Sequence, residues 1–228
     1  MTSGTISTFM TAQDIMTAAA QELGVLGAGE YPDADEAAAM LPRLNWMLKS
    51  WQANGANLWR QTEGSVTFPI NTATVTLDPF VIDVIEARLV QTSTFERPLQ
   101  RWERGEYMQI PNKATPGWPT AFYLDKQRDA VTLTLWPVPN EALTVLFTYA
   151  RVIEDVTDEA QLVDVPQQWM ETVYTCLAAR CANLYGATRL DPNTVAMVQA
   201  RAAELEQKML DSDRPASVFL GNIYDRYF

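Results

Sequence analysis

The hydrophobic positions of this chain change period twice. From Thr11 to about Gly55 they recur every three or four residues, the spacing of helices with one buried face. Thr11 and Asp14 stand at the two ends of a weak capping box. Ile15, Ala19 and Leu23 follow at helical spacing, and Gly24 supplies a stop. Beyond the glycine-rich link Gly24–Gly29 and Tyr31-Pro32, Asp33 or Asp35 opens a second helix. Its apolar face carries Ala37, Met40, Leu41, Leu44, Met47, Leu48 and Trp51, and Asn54-Gly55 ends it. Pro42 falls inside this pattern, and its missing N–H predicts a kink or irregular turn near residues 38–42.

From about Leu58 to Val165 the period becomes two. Thr72–Leu77 alternates Thr with Val and Leu, and Val81–Val90 is rich in β-branched residues. Val131, Leu133 and Leu135 alternate with Thr132, Thr134 and Trp136, and Leu143, Val145, Phe147 and Tyr149 do the same. The polar stretch Asp125–Asp129 predicts a hairpin connection, Pro116-Gly117, Pro137 and Pro139-Asn140 predict breaks, and Arg101–Ile110 allows one short helix. Five to seven antiparallel strands are expected, as a small sandwich or curled sheet.

The helical period returns after Pro166, which suits a first helical position. Met170, Val173, Leu177, Cys181 and Leu184 form one stripe, closed by Gly186. Asp191-Pro192 opens the next, with Val195, Val198, Ala202, Leu205 and Met209. The last residues, Ala216–Phe228, carry Phe219, Leu220, Ile223, Tyr224, Tyr227 and Phe228 with no clean period. Four helices with one apolar face each bury those faces most simply against one another. The expected fold is therefore α+β: a four-helix bundle core with an antiparallel β insertion between helices 2 and 3, plus an extended C-terminal tail. Residues 1–55 and 166–211 make the discontinuous bundle, 56–165 the insertion and 212–228 an interaction tail. The linkers Gly55–Arg60 and Glu154–Val165 form its neck.

Composition narrows the chemistry. The chain has no histidine, which removes the commonest general base and metal ligand and excludes Ser-His-Asp and Cys-His nucleophile systems. A net charge of −11 argues against binding to a phosphate backbone. No apolar run is long enough to span a bilayer, and Met1–Phe9 lacks the layout of a signal peptide, so a soluble, unexported chain is expected. Cys176 and Cys181 sit five residues apart on one helix, about 140° around its axis, too far round to bond together. They are expected to be small buried apolar residues.

The remaining candidates for chemistry are acids. Glu22, Glu30 and Glu86 are the carboxylates nominated for a glycoside-hydrolase pair. Asp33-Asp35-Glu36 and Asp155-Asp158-Glu159 are better explained as helix-cap and linker acids than as a metal site. The Gly24–Gly29 run follows a helix rather than a strand, so it is a hinge and not a nucleotide loop. No catalytic, cofactor or metal residue is assigned. Among the tryptophans, Trp46, Trp51 and Trp169 lie in helical patterns and are expected in the core. For Trp59, Trp102, Trp118 and Trp136, at turns and strand ends, a protein-binding surface competes more evenly with core packing. The aromatic C-terminal segment is the candidate partner-binding element: Phe219, Leu220, Ile223, Tyr224, Tyr227 and Phe228.

Several motifs in order resemble one family. Leu41-Pro42-Arg43-Leu44-Asn45-Trp46-Met47-Leu48-Lys49-Ser50-Trp51, closed by Gly55 and followed by Leu58-Trp59, resembles the start of the head-to-tail adaptor proteins of short-tailed phages, similar to the tail accessory or packaged-DNA stabilisation factor. Gly117-Trp118-Pro119, Phe122-Tyr123-Leu124, Leu133–Trp136 and Pro137-Val138-Pro139 look like that family's β region. Trp169, Leu177-Ala178-Ala179, Ala182 and Tyr185-Gly186 look like its third helix. The resemblance covers about residues 10–190. It implies a non-enzymatic ring, expected to be dodecameric, bound below the portal protein and above a downstream tail or nozzle protein. Genomic DNA would pass through without sequence-specific binding. It implies a place in the virion neck or tail, reached from the host cytoplasm, with no membrane and no cofactor. The rival from another class is a virion-associated peptidoglycan-cleaving enzyme using paired carboxylates, and a third reading is a self-contained ligand-binding module.

Overall fold

The computed structural model describes residues 8–54, 58–92, 95–128, 130–186 and 189–212. The chain divides into two compact units, one built from residues 1–58 and 154–228, the other from 59–153.

The helical unit contains α1 (Ala12–Glu22), α2 (Ala34–Ala53), α4 (Met170–Cys181) and α5 (Pro192–Ser212). The capping box opens α1 as its sequence predicts: Asp14 N–H donates to Thr11 Oγ1 at 3.2 Å, and Thr11 N–H donates to Asp14 Oδ2 at 3.0 Å. Gly24, at φ +72°, closes it, with Gly24 N–H donating to Gln21 O and Val25 N–H to Ala20 O. That pair of bonds is the Schellman arrangement, which needs a left-handed residue after the helix. Asp33 caps α2 by accepting from Glu36 N–H at 2.7 Å, and the helix runs unbroken through Pro42. Asp191 accepts from Thr194 N–H at the head of α5.

Residues 154–165 belong to this unit too. Ala12 and Gln13 donate their N–H groups to Gln161 O and Glu159 O, and Thr11 bridges Leu162. These are N–H groups of the first turn of α1, which have no partner inside the helix. Asn45 of α2 bonds both backbone groups of Val156, and Lys49 pairs with Asp155 at 2.9 Å.

The sheet unit holds β1 (Gln61–Phe68), β2 (Thr74–Thr76), β3 (Val81–Thr92), β4 (Phe95–Trp102), α3 (Arg104–Met108), β5 (Pro116–Gly117), β6 (Ala121–Lys126), β7 (Val131–Trp136), β8 (Val138–Pro139) and β9 (Leu143–Arg151). Seven strands form one curled sheet in the order β1-β9-β3-β4-β6-β7-β2. Its own core includes Phe68, Val84, Leu89, Phe122, Leu133, Leu135 and Val145, all at most 1% exposed. Each such large apolar side chain contributes about 1.5–3 kcal/mol by leaving water. The β6–β7 hairpin closes where the polar stretch predicts, with Gln127 N–H donating to Ala130 O.

The expected four-helix bundle core with an antiparallel insertion is not what the chain forms. The described residues hold five helices and a seven-stranded mixed sheet with a core of its own, so the sheet is not an accessory to a bundle. The sheet is mixed because β4 and β6 run parallel, Gln100 opposite Ala121 through Trp102 opposite Tyr123. Parallel neighbours need a long crossover, which residues 103–120 with α3 supply. Pro116-Gly117, expected as a break, pairs instead as β5 with β8 in a second, two-stranded parallel sheet. The helices do not share one bundle seam either. Beyond its predicted stripe, α4 buries Thr172, Thr175, Cys176 and Ala178, and α1, α2 and α5 all pack against it. The C-terminal tail lies outside the described residues.

Candidate assembly surfaces

The titratable side chains come first, since any chemistry would need them. Among the described residues no three His, Cys, Asp or Glu side chains gather as a metal site. Cys176 and Cys181 are buried free thiols, and burial pushes them up to about 12 and about 11, so both stay protonated at neutral pH. Glu22 and Glu30 belong to the helical unit and Glu86 to the sheet. Each has a structural partner. Glu22 lies 3.8 Å from Arg201, Glu30 accepts from Gly27 N–H, and Glu86 lies 3.5 Å from Arg88. Of the two acid clusters, Asp33 caps α2, Glu36 pairs with Arg189, Asp155 pairs with Lys49 and Asp158 accepts from Ala160 N–H. A cap, two ion pairs and a linker turn account for all four.

The outer face of the sheet carries one arginine held among acids from three strands. Arg88 on β3 lies 3.6 Å from Glu63 of β1, 3.5 Å from Glu86 on its own strand and 3.2 Å from Glu96 of β4. Three carboxylates around one guanidinium leave this cluster net negative. Asp83 reverses the ratio, with Arg101 and Lys126 at 3.1 and 2.9 Å.

The tryptophans separate by environment. Trp51 is fully buried and its Nε1–H donates to Glu206 Oε1 at 2.6 Å, joining α2 to α5. Trp102 and Trp136 pack with ring centres 5.3 Å apart, and Trp136 Nε1–H donates to Asn112 O. Beside them Tyr107 of α3 stacks on Tyr123 of β6 at 4.9 Å, so α3 covers that part of the sheet. Trp118 is 37% exposed. Trp46 departs from expectation: it is 66% exposed rather than in the core. The signal was present in the sequence. At about 100° per residue, Trp46 falls about 150° from the mean direction of the buried side chains of α2.

The described surface also offers apolar contact. Phe9, Tyr31, Trp46 and Leu162 stand exposed on the helical unit, and Ile70, Phe80, Phe95 and Met108 on the sheet unit. The sheet also keeps one long free edge. β1 is eight residues with a single neighbour, whereas the opposite edge strand, β2, has three. The partner-binding candidates Phe219, Leu220, Ile223, Tyr224, Tyr227 and Phe228 lie outside the described residues.

The model of the family described as SU10 adaptor protein matches residues 10–219, which take in every described element of both units. The chain belongs to the SU10 adaptor protein family. The resemblance to head-to-tail adaptors carried by its motifs is borne out, and the adaptor is a structural protein of the phage head-to-tail connection. Among solved structures, a chain from "Neck of empty GTA particle computed with C6 symmetry" is 15% identical, with 87% of the adaptor and 95% of that chain covered. Its TM-score of 0.25 is too low to carry an argument about fold or assembly. No curated protein matches. No described helix of the adaptor is long and apolar enough to cross a membrane.

Proposed function

We propose that the chain is a connector subunit that assembles as a ring under the phage portal, extends the DNA channel toward the tail and helps retain packaged DNA. The portal binds one side and a downstream tail or nozzle protein the other. The ring is a dodecamer, carries out no catalysis and sits in the virion neck. Membership in the adaptor family supports this reading. The observation that carries it is the set of large apolar side chains left in water on a charged surface, Trp46 above all, since tryptophan is among the residues most enriched as anchors of protein interfaces.

The acidic balance fits the same role. A channel wall of net negative charge repels phosphates and lets DNA slide, and the Arg88 cluster with its three glutamates shows how such a wall can hold excess acid. The aromatic tail, residues 219–228, reaches a neighbouring subunit or the portal. The test is to mix the purified chain with its portal ring and image the product. A second ring stacked coaxially on the portal is expected, and no bound density would overturn the proposal. Removing Val218–Phe228 is expected to leave the fold intact and weaken stacking, read by circular dichroism and by imaging of the same mixture.

A further inference from the structure

We propose that in the free subunit the C-terminal tail folds back along α5, and that Ile223 and Tyr224 fill the uncharged cleft between the end of α4 and the first turns of α5. The proposal concerns the subunit before its tail has met a partner, so it holds whether or not the ring forms. It stands on the chemistry of the cleft, the flank of α5 that leads to it, and the length of chain that starts at Ser212.

The cleft holds about 360 Å³ and is walled by Ala182, Leu190, Pro192 and Val195, with Asn183 and Gln199 as its polar residues. None of its lining residues is charged. Two other clefts of the same unit differ: one is lined by Asp33, Asp35, Glu36 and Arg189, the other by Asp14 and Glu30. The tail matches the uncharged one. Ala216–Tyr224 runs without a charge, bounded by Asp213-Arg214 on one side and Asp225-Arg226 on the other. Such a segment can leave water for an apolar wall without burying an ion, which is the costly step. Its tyrosine brings one hydroxyl, and Asn183 and Gln199 supply amides to pair with it.

Helix α5 joins the cleft to the tail. Pro192 and Gln199 line the cleft and stand about 30 and about 20 Å before Ser212, at a rise of about 1.5 Å per residue. Past Gln199 the same flank of α5 bears Ala203, exposed, and Leu210, half-buried. Glu206 lies between them, and its carboxylate already accepts from Trp51 Nε1–H. Beyond Ser212 the chain soon meets Pro215, which cannot continue the helical bonding and suits a reversal. A chain reversed there needs about six to nine extended residues, at about 3.3 Å each, to come back over the cleft. Ile223 and Tyr224 stand at the far end of that range. The same spacing brings Phe219 level with Ala203, whose small side chain leaves room for it.

The experiment uses the free full-length chain, with no portal present. Ala196→Cys puts a reporter thiol in the cleft wall, and Met197→Cys, at a position 72% exposed and about 100° further round α5, is its control. The native thiols are buried, so a maleimide reads the added one in folded protein. Adding Ile223→Asp and Tyr224→Asp is expected to speed labelling of the cleft thiol at least about tenfold, the gain on freeing a cleft occupied about nine-tenths of the time. The control rate is expected to stay unchanged, and Cys176 and Cys181 to stay unlabelled. An unchanged cleft rate would overturn the proposal, as would an equal rise at the control. So would labelling of Cys176 or Cys181 in the substituted chain, which would make the tail part of the core. Protection that grows with protein concentration would overturn it too, since the tail would then come from a second copy. None of these outcomes bears on the ring, which is read separately on the portal.

Discussion

Asn45 and Val156 close a two-bond ring across 111 residues of chain: Asn45 Nδ2 donates to Val156 O at 2.8 Å, and Val156 N–H donates to Asn45 Oδ1 at 2.9 Å. Val156 is 3% exposed, so neither backbone group finds water if the side chain is removed. Asn45→Ala is expected to lower stability by about 1–3 kcal/mol, the cost of leaving buried polar groups unpaired. Asn45→Asp keeps the acceptor and loses the donor, and is expected to fall between wild type and alanine. Urea unfolding measures both.

The Trp51 indole offers a cleaner separation of polar and apolar effects. Trp51→Phe preserves an aromatic ring in the core but removes the bond to Glu206. A charge-assisted hydrogen bond of this kind contributes about 1.5–3 kcal/mol. The same substitution in a Glu206→Gln background is expected to cost less, and the difference read from a double-mutant cycle isolates the bond.

Gly64 sits in edge strand β1 beneath two rings. A Cβ there would lie 3.1 Å from both Phe147 and Tyr149, which themselves pack 5.5 Å apart. Phe147 is 5% exposed and has little room to yield. Gly64→Ala is expected to destabilise by about 1–3 kcal/mol through overpacking, and Gly64→Val by more, although valine has the higher strand propensity. Equal or raised midpoints for the valine variant would show that the rings move freely.

Alkali should weaken the helical unit. Burial pushes Cys176 up to about 12, Cys181 up to about 11 and Tyr185 up to about 12. The unfolded chain releases these protons at the ordinary values of 9.0 and 10.0, before the folded chain does. Their contribution is therefore intact below about pH 9 and is lost as pH rises to about 12. Titrating urea midpoints from pH 8 to 11 is expected to show a fall that Cys181→Ala reduces. At pH 8 a thiol reagent should label native protein at a rate set by unfolding, since both thiols are buried and protonated.

What could be read from the chain, and what could not, divides by the range of the interaction. Thr11, Asp14 and Gly24 fix the ends of α1 through contacts only a few residues long, and the 2-periodic runs identify β2, β7 and β9. The parallel pairing of β4 with β6 depends on where an 18-residue connection returns, and alternation along a strand carries no such information. The same holds for α4. Its predicted stripe is real, but Thr172 and Thr175 are small enough to be buried on other faces, and only the packing of α1, α2 and α5 reveals that they are. Trp46 is the opposite case: its angular position on α2 marked it as exposed, whereas its residue type suggested core. The aromatic tail carries no local period, so its sequence pattern says nothing of what it contacts.

The segment 154–165 has a consequence for the order in which this protein is made. The first turn of α1 and the middle of α2 are held by carbonyls and amides that follow the sheet in the chain. At about 5–20 residues per second, those groups leave the ribosome seconds after both helices. Until then the two N-terminal helices lack α4 as well, so they wait with their apolar faces uncovered while residues 59–153, which carry a complete core, emerge. The sheet is the part of the nascent chain equipped to fold first, and its last strand delivers the segment that fastens the helices begun before it.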